Sequence, residues 1–597
     1  MDMLLRDVTI DELAGIYARH KDRSPAPYLT DPEAIGRARR LAKKNGFWDD
    51  ISRNLHPTRD IPVVKRSAFR NYQRVGDRRL PQAVDAARLR ELLRAAHALW
   101  LDHPKADVDY LQDLLWAYCD SFTWVRAAHE GRSVDLGSGK LATAFSEILH
   151  VLGDRLEEEV KARLSAEIDR RIFQNFWNYR HLDSWKTARM NWNHVCNGAV
   201  VRTALYMIED PRILAHMTHA AIQNMTYAVD GFTDDGGCEE GPGYWGFGFG
   251  HYLYAAYALY LKTNGELNLM QDEKIERICR YPLAARISGR FCSTFADAGH
   301  GYIPARVALV VNEFLDLPEL YDLCALRPDR TLDLTRQMQD HGFCHDLALY
   351  RGQKARGKPD NRDYILPNLG QVKLRGKPGK TQMTLMALAG NNGVPHNHND
   401  IGSFIVHREG RLLLVDPGGP VYTRKTFSPQ RYDIVFCSSR GHSVPVINGR
   451  LQEPGSQYYG TLTVENANGK GEKRAAIDMT HAYPQGAVKK LVRTFTLDAD
   501  ANRLALEDTY TFVRQPQSLE EAFITFERAR VAKDGQSVQI GPKRGGLLLR
   551  AVDTPGRFDA ARLVEESKEG HSNQVITRIT FAPEKLGREM RLRFEMV

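Results

Sequence analysis

The sequence predicts a multidomain chain, α-helical in its first part and antiparallel β in its second. Three observations carry this. Apolar residues recur at helical spacing, and seldom alternate, as far as about residue 345. The stretch Arg351 to Arg362 (RGQKARGKPDNR) is polar and basic with two glycines and a proline, as a linker is. Beyond it, apolar residues alternate or run in short β-rich blocks. At 597 residues, 43% of them apolar and 26% charged, the chain is long enough for two to four domains with sizeable cores.

In the first part, Leu89, Leu92, Leu93, Ala96 and Trp100 fall on one helix face, as do Leu111, Leu114, Leu115 and Tyr118. Leu156, Val160, Leu164, Ile168 and Ile172 step by four through a segment otherwise full of charge. Further helices are predicted near 194–209, 212–229, 250–263, 272–288 and 305–316. Many consecutive amphipathic helices imply helices packed on helices, and the pattern fits a bundle, a solenoid or a ring of hairpins equally. In the second part, Phe404 to Val406 and Leu412 to Val415 flank a turn at Arg408-Glu409-Gly410. Leu491, Phe495 and Leu497 share a strand face, and Asp500-Ala501-Asn502 leads to a partner at Leu504 to Leu506. At the end, Met590, Leu592, Phe594 and Met596 alternate with Arg591, Arg593 and Glu595. Short strands at this spacing predict a sandwich. The expected domains are 1–350 helical, 351–362 linker and 363–597 sandwich.

Lys plus Arg exceed Asp plus Glu by 82 to 74, a net +8. Spread over the chain, this gives no basic tail of the nucleic-acid kind but suits an anionic small or polymeric ligand. No run of 18 apolar residues occurs, so no membrane span is predicted. The opening MDMLLRDVTIDELAGIY lacks a basic n-region and an unbroken apolar h-region. The expected location is cytoplasmic as the sequence stands, and periplasmic or secreted if a signal peptide has been removed. Eight scattered cysteines without a CxxC pair point to a reducing compartment. The oligomeric state is left open.

Three segments carry candidate chemistry. In His396-Asn397-His398-Asn399-Asp400, opening an expected strand at Ile401 to His407, residues two apart would place His396 and His398 side by side. With Asp416 in Leu414-Val415-Asp416-Pro417-Gly418-Gly419 and His442 in Arg440-Gly441-His442-Ser443, they form the ligand set of a zinc-type site. The alternative is separate polar residues at strand edges, with Asp416 capping a turn. The second segment, Asp234 to Gly246, is a glycine-rich loop carrying Asp234, Asp235, Glu239, Glu240, Tyr244 and Trp245. Acids and rings on irregular backbone suit a sugar site, and a solvated loop with two plugging aromatics is the bland reading. The third, Asn191-Trp192-Asn193-His194-Val195-Cys196-Asn197, precedes a helical run that Asn193 suits as an N-cap.

In this order, the three segments resemble the heparinase II/III-like polysaccharide lyases. The resemblance rests on Asn193-His194, on Asp235-Gly236 to Glu240-Gly241-Pro242-Gly243-Tyr244, and on His396, His398, Asp400, Asp416-Pro417-Gly418 and His442. It departs from the family at His442-Ser443-Val444, where an H-N-T-like context is usual. It implies an N-terminal incomplete α/α-toroid followed by a C-terminal antiparallel β-sandwich. It also implies an anionic uronic-acid polysaccharide or oligosaccharide as partner (hyaluronan, chondroitin sulfate, heparan sulfate or heparin, or alginate) and cleavage by β-elimination. Such a reaction removes the proton α to the uronate carboxylate and expels the 4-oxygen, so the carboxylate's charge must be neutralised by hydrogen bonds. Asn193 and His194 are the expected donors, with Glu240 as partner to an imidazole. Tyr244 is the expected acid, and base too in a syn elimination, and His396 the base or charge-stabilising group. Trp245 is an expected substrate contact. Tyr422 enters as a second tyrosine by family analogy, and Arg431 as a contact to a substrate carboxylate or sulfate. His398, Asp416 and His442 are expected to hold one structural divalent ion, zinc or alternatively manganese, with water or another group completing the shell; an ion-free hydrogen-bonded cluster is the alternative. Two rival functions stand: a glycoside hydrolase using Asp234 or Asp235 with Glu239 or Glu240, and a non-catalytic glycan-binding protein.

Overall fold

The computed structural model describes residues 8–56, 60–178, 183–334, 342–357, 360–571 and 573–597. The first seven residues of the chain start, and residues 358 and 359 of the expected linker, lie outside them. Helices come first and antiparallel sheets second, as the sequence predicts. No helix among the described residues is long and apolar enough to cross a membrane. All eight cysteines are buried, and none of them forms a disulfide.

The chain forms two compact units. The helical one comprises the chain up to Gly231, Trp245–Glu276 and Tyr302–Gly357. Its helices include Arg79–Trp100, Val108–Cys119, Leu136–Leu152, Asn191–Met207, Pro211–Val229, Gly250–Lys262 and Ala305–Phe314. Asp107, Asp135 and Asp210 start three of them, each side chain accepting from backbone N–H groups two or three residues on. Leu92, Leu93, Ala96 and Trp100 are buried on one such helix, and Leu111, Leu114, Leu115 and Tyr118 on the next. The stripe that steps by four buries Val160, Leu164 and Ile168, and a π turn at Asp169–Phe173 keeps Ile172 inside. Helix Asn191–Met207 buries 14 of its 17 residues, which makes it the central helix of its unit. Beside it, wholly buried Glu147 accepts from Arg202, from His345 at 2.9 Å and from the Phe343 amide. Removing one partner from such a buried set costs about 3–5 kcal/mol, so this polar knot anchors three segments.

The second unit comprises Phe232–Tyr244, Arg277–Gly301 and the chain beyond residue 357. Two segments from inside the expected helical stretch thus cluster with the sheets, for visible reasons. Asp235 accepts from the backbone N–H groups of Asn368 and Leu369, while buried Lys373 donates to the carbonyls of Leu283 and Arg286. Three antiparallel sheets follow. One has five strands, Tyr364–Leu366, Gln371–Arg375, Met383–Leu388, Phe404–Arg408 and Arg411–Leu414, in chain order. The second has eight, with Arg503–Phe512 between Val488–Asp498 and the final strand Glu589–Met596. The third has four, centred on Leu519–Thr525 and Ile576–Pro583. The predicted hairpin turn carries Glu409 at φ 51° and Gly410 at φ 75°, the left-handed pair that a two-residue hairpin needs. Leu592, Phe594 and Met596 are buried on the last strand, each stabilising by roughly 1.5–3 kcal/mol. One apolar core takes side chains from all three sheets, Phe404, Phe495, Phe523 and Phe594 among them.

A buried cation is set into that core. Arg493 donates to Asp508 and Glu521 and to the carbonyls of Gly402 and Ser443. Gly402 follows the His396–Asp400 run and Ser443 follows His442, so this guanidinium holds both loops to the sandwich.

Candidate active site

The site of the sheet unit is built around a residue that the sequence reading did not single out, Asp297. It lies in Phe295-Ala296-Asp297-Ala298-Gly299, after the small hairpin Arg286–Ser288/Phe291–Cys292. The Asp416-Pro417-Gly418-Gly419 motif packs directly on it. A Cβ at Gly418 would fall 2.5 Å from the Ala298 carbonyl oxygen, and one at Gly419 would fall 2.9 Å from Asp297 Cα. Only glycine admits that approach. Gly419 donates its N–H to the Ala298 carbonyl, and Thr294 donates to that of Asp416.

The Asp297 side chain is wholly buried and accepts four hydrogen bonds, two on each oxygen. Oδ1 takes His398 Nε2 at 3.0 Å and Arg431 Nη2 at 2.8 Å. Oδ2 takes His396 Nδ1 at 2.7 Å and the Tyr422 hydroxyl at 2.9 Å. Burial opposes its charge, but the hydrogen bonds from the two imidazoles, with Arg431, more than offset this and hold the carboxyl well below the usual range. The Tyr422 oxygen lies 2.5 Å from that of Tyr244. Since Tyr422 spends its proton on a carboxylate, Tyr244 is the donor of that pair. Burial, then Asp297, push the Tyr422 hydroxyl far above the ordinary phenol range. The Tyr244 ring stacks on His396, with centroids 4.4 Å apart, and His396 Nε2 lies 3.5 Å from Glu240. Expected Glu240, Tyr244, His396, Tyr422 and Arg431 are thus brought together.

The local backbone differs from the expected strand. His396 is left-handed, at φ 60°, and the strand itself starts only at Phe404. The two histidines meet through the two oxygens of Asp297, not through a pleat. Likewise, Pro242–Tyr244 is already a helical turn, so the expected loop ends earlier than Gly246.

Behind His396 lies the metal-type cluster. His398, Asp400, Asp416 and His442 are all buried, with one ligand atom from each within 4.8 Å of the others. His442 Nδ1 is 2.9 Å from Asp416 and 3.7 Å from Asp400. His398 Nδ1 and Asp400 Oδ2 are buried without a hydrogen-bond partner. Two imidazoles and two carboxylates, two of them offering such orphaned atoms, fit a closed four-ligand site for zinc. Asp400 would be the fourth group, where water or another ligand is the expectation from sequence. The other imidazole nitrogens are oriented from outside, His398 by Asp297 and His442 by the Phe436 carbonyl at 2.9 Å. Burial raises the Asp400 carboxyl to about 8. Burial would lower His442, but Asp416 and Asp400 raise it to about 9. His398 and Asp400 also line a cavity of about 270 Å³, with Glu239, Phe295, Asn368 and Asn397.

Other expected residues fall differently. Asn193 and His194 lie in the helical unit, 0% and 1% exposed. The helix begins at Asn191, with Met190 as cap, so Asn193 does not cap it. Its amide instead donates to the carbonyls of Lys186 and Asn224 at 2.8 Å each. His194 packs against Tyr252 and Phe249, and burial pulls its pKa down to about 3 despite a bond to the Met225 carbonyl. Burial thus favours its neutral form. Trp245 is also in the helical unit, fully buried against Phe249, so its ring offers no face to a sugar. Arg431 is spent on Asp297 and on the carbonyls of His396, Asn397 and Thr426. Asp235 caps loop amides rather than standing free as a hydrolytic carboxylate.

In fold, the chain is similar to solved polysaccharide lyases. It is similar to heparinase III, with a TM-score of 0.60 and 12% identity over 95% of this chain and 91% of that one. Against heparan sulfate lyase HepC from Pedobacter heparinus the TM-score is 0.57 at 13% identity, covering 98% and 88%. Against a Paenibacillus xanthan lyase it is 0.53 at 9% identity, covering 98% and 59%. Residues 359–585 match the sequence model of the family "Heparinase II/III-like, C-terminal". No curated protein matches the sequence. The resemblance drawn from the motifs thus holds by sequence for the C-terminal part and by fold for the chain, toroid-type helices followed by antiparallel sheets.

Proposed function

We propose that this protein is a polysaccharide lyase that cleaves a uronic-acid-containing glycan by β-elimination. The observation that carries the reading is the hydrogen-bonded run Tyr244–Tyr422–Asp297 with His396 stacked on Tyr244. Tyr244 is the proton carrier: it gives its phenolic proton to the departing 4-oxygen and takes the proton α to the carboxylate in its place, so the phenol is restored. Tyr422 sits 2.5 Å away with its own proton on Asp297, so its oxygen accepts the Tyr244 hydrogen bond and orients that phenol. His396 flanks the phenol as the charge-stabilising group. Asn193 and His194 are read as holding the start of helix Asn191–Met207, because the amide hydrogens of Asn193 are already bonded. Arg431 holds the His396–Asn397 backbone in place. His398, Asp400, Asp416 and His442 would hold one zinc ion, whose contribution is to fix the loop that carries His396.

The fold likeness to heparinase III and heparan sulfate lyase favours a glycosaminoglycan as substrate, with alginate as the other uronate polymer to test. A panel of hyaluronan, chondroitin sulfate, heparan sulfate and alginate, followed by ultraviolet absorbance of unsaturated ends, tests the reading. Reducing ends released without that absorbance would mean hydrolysis; binding without turnover would mean a glycan-binding protein.

Phe427 is 53% exposed and sets its edge against Tyr422, with centroids 5.0 Å apart. An exposed ring beside the hydrogen-bond partner of the proton carrier suits a sugar face, and such stacking contributes about 0.5–1.5 kcal/mol. Phe427→Ala is expected to raise KM about 2- to 10-fold with kcat unchanged. Steady-state kinetics on the best polymer check this, and an unchanged KM removes Phe427 from the binding surface.

A further inference from the structure

We propose that Asp297 is the positioning residue of this site: its one carboxylate sets the tautomer of His396 and the direction of the Tyr422 hydroxyl, and through His398 it ties both to the metal-type cluster. The inference deepens the lyase reading and rests on it for the meaning of a rate. Its geometry stands alone.

An ionised carboxylate accepts about four hydrogen bonds and donates none. Asp297 has all four, so each partner's hydrogen is assigned by elimination. His396 must carry its proton on Nδ1, which turns Nε2 toward Glu240. His398 must carry its proton on Nε2, which leaves Nδ1 for the cluster with Asp400, Asp416 and His442. Tyr422 must point its proton at Asp297, which leaves its oxygen open to Tyr244. Arg431 closes the ring, because the same Nη2 that meets Asp297 also meets the carbonyl of His396. Strain marks the same spot. Ala296 and His396, the residues that bring these groups together, both sit at left-handed φ, 62° and 60°. Such backbone is costly and persists only where its surroundings over-determine it.

Asp297→Asn separates positioning from mere packing, because it keeps shape and changes two bonds. Arg431 cannot accept, so the amide oxygen must stay on the Arg431 and His398 side, and the amide N–H₂ must face His396 and Tyr422. His396 then has to accept at Nδ1 and moves its proton to Nε2. Tyr422 has to accept as well and turns its hydroxyl away from residue 297. The expected result is a kcat lowered about 10²–10⁴-fold, with KM within about threefold of the wild type. Zinc content should be unchanged, since His398 keeps its acceptor. Nitrogen-15 NMR of histidine-labelled protein, with the His396 signal assigned by a His396→Gln variant, should show the proton on Nδ1 in the wild type and on Nε2 in Asp297→Asn.

A variant with wild-type kcat, or one in which His396 keeps its Nδ1 proton, overturns the proposal. So does loss of metal in step with loss of rate, which would make Asp297 a support of the ion alone. If Asp297→Asn does not fold, the wild-type spectrum decides by itself: a His396 proton resident on Nε2 refutes the assignment, and one on Nδ1 upholds it. If the wild type turns over none of the polymers, the lyase reading falls while the two spectra still judge Asp297.

Discussion

Tyr244→Phe is expected to lower kcat by about 10²–10⁴-fold or more while leaving substrate binding nearly intact. The substitution removes one hydroxyl. The ring that stacks on His396 at 4.4 Å stays, so the packing of the turn Pro242–Tyr244 is kept. What disappears is the oxygen that faces Tyr422 at 2.5 Å. Tyr422 does not replace it, because its own proton is held by the wholly buried carboxylate of Asp297 and its hydroxyl is driven far from titration. The two tyrosines are therefore unequal: Tyr422 gives its proton to a buried carboxylate, and Tyr244 gives its own to Tyr422. Tyr422→Phe should lower the rate less, since it removes a hydrogen bond to the proton carrier and not the carrier itself. Kinetics of both variants on one polymer, with affinity measured separately by calorimetry, check the pair. Near wild-type turnover by Tyr244→Phe would take Tyr244 out of the mechanism.

Much of this was legible in the sequence, and what was not has identifiable causes. The helix stripe from Leu156 to Ile172 and the alternation from Met590 to Met596 are periodic signals, and periodicity survives into burial. His396, His398, Asp416 and His442 stood out because imidazoles and a carboxylate at strand-edge spacing are rare together. Their placement was less legible. A left-handed His396 cannot be seen in a five-residue polar run, and the expected pleat was really a loop pinned by Arg431. Asp297 had no such signal: one acid among alanines and glycines looks like any turn. The glycines that admit it, Gly418 and Gly419, follow Asp416-Pro417, where a Gly-Gly pair fits an ordinary turn as well as a close backbone approach. Trp245 misled for the opposite reason. An aromatic in a glycine-rich loop suggests a sugar platform, but the chain had already turned helical there and the ring went into the core.

His442→Ala should abolish metal binding and destabilise the sheet unit strongly. Wild-type protein, purified without a histidine tag, is expected to hold about one equivalent of zinc. The ligands are the two imidazoles and two carboxylates whose atoms lie within 4.8 Å of one another. Removing His442 deletes a ligand and also the group that faces Asp416 at 2.9 Å and Asp400 at 3.7 Å. Two buried carboxylates would then share a pocket with neither ion nor imidazolium between them. Breaking a buried charge pair by removing one partner costs about 3–5 kcal/mol. The ion-free alternative predicts the same loss of stability, so stability alone does not separate the two. Chelation does. Stripping the wild type with a strong chelator should lower its melting temperature, and adding back zinc should restore it, because an ion that binds only the folded chain stabilises by mass action. An ion-free cluster is indifferent to both treatments. Elemental analysis gives the direct answer: less than about a tenth of an equivalent of any transition metal in the untreated protein leaves a hydrogen-bonded His-Asp-His knot, with Asp400 kept neutral near pH 7 by burial, as the structural support of the His396 loop.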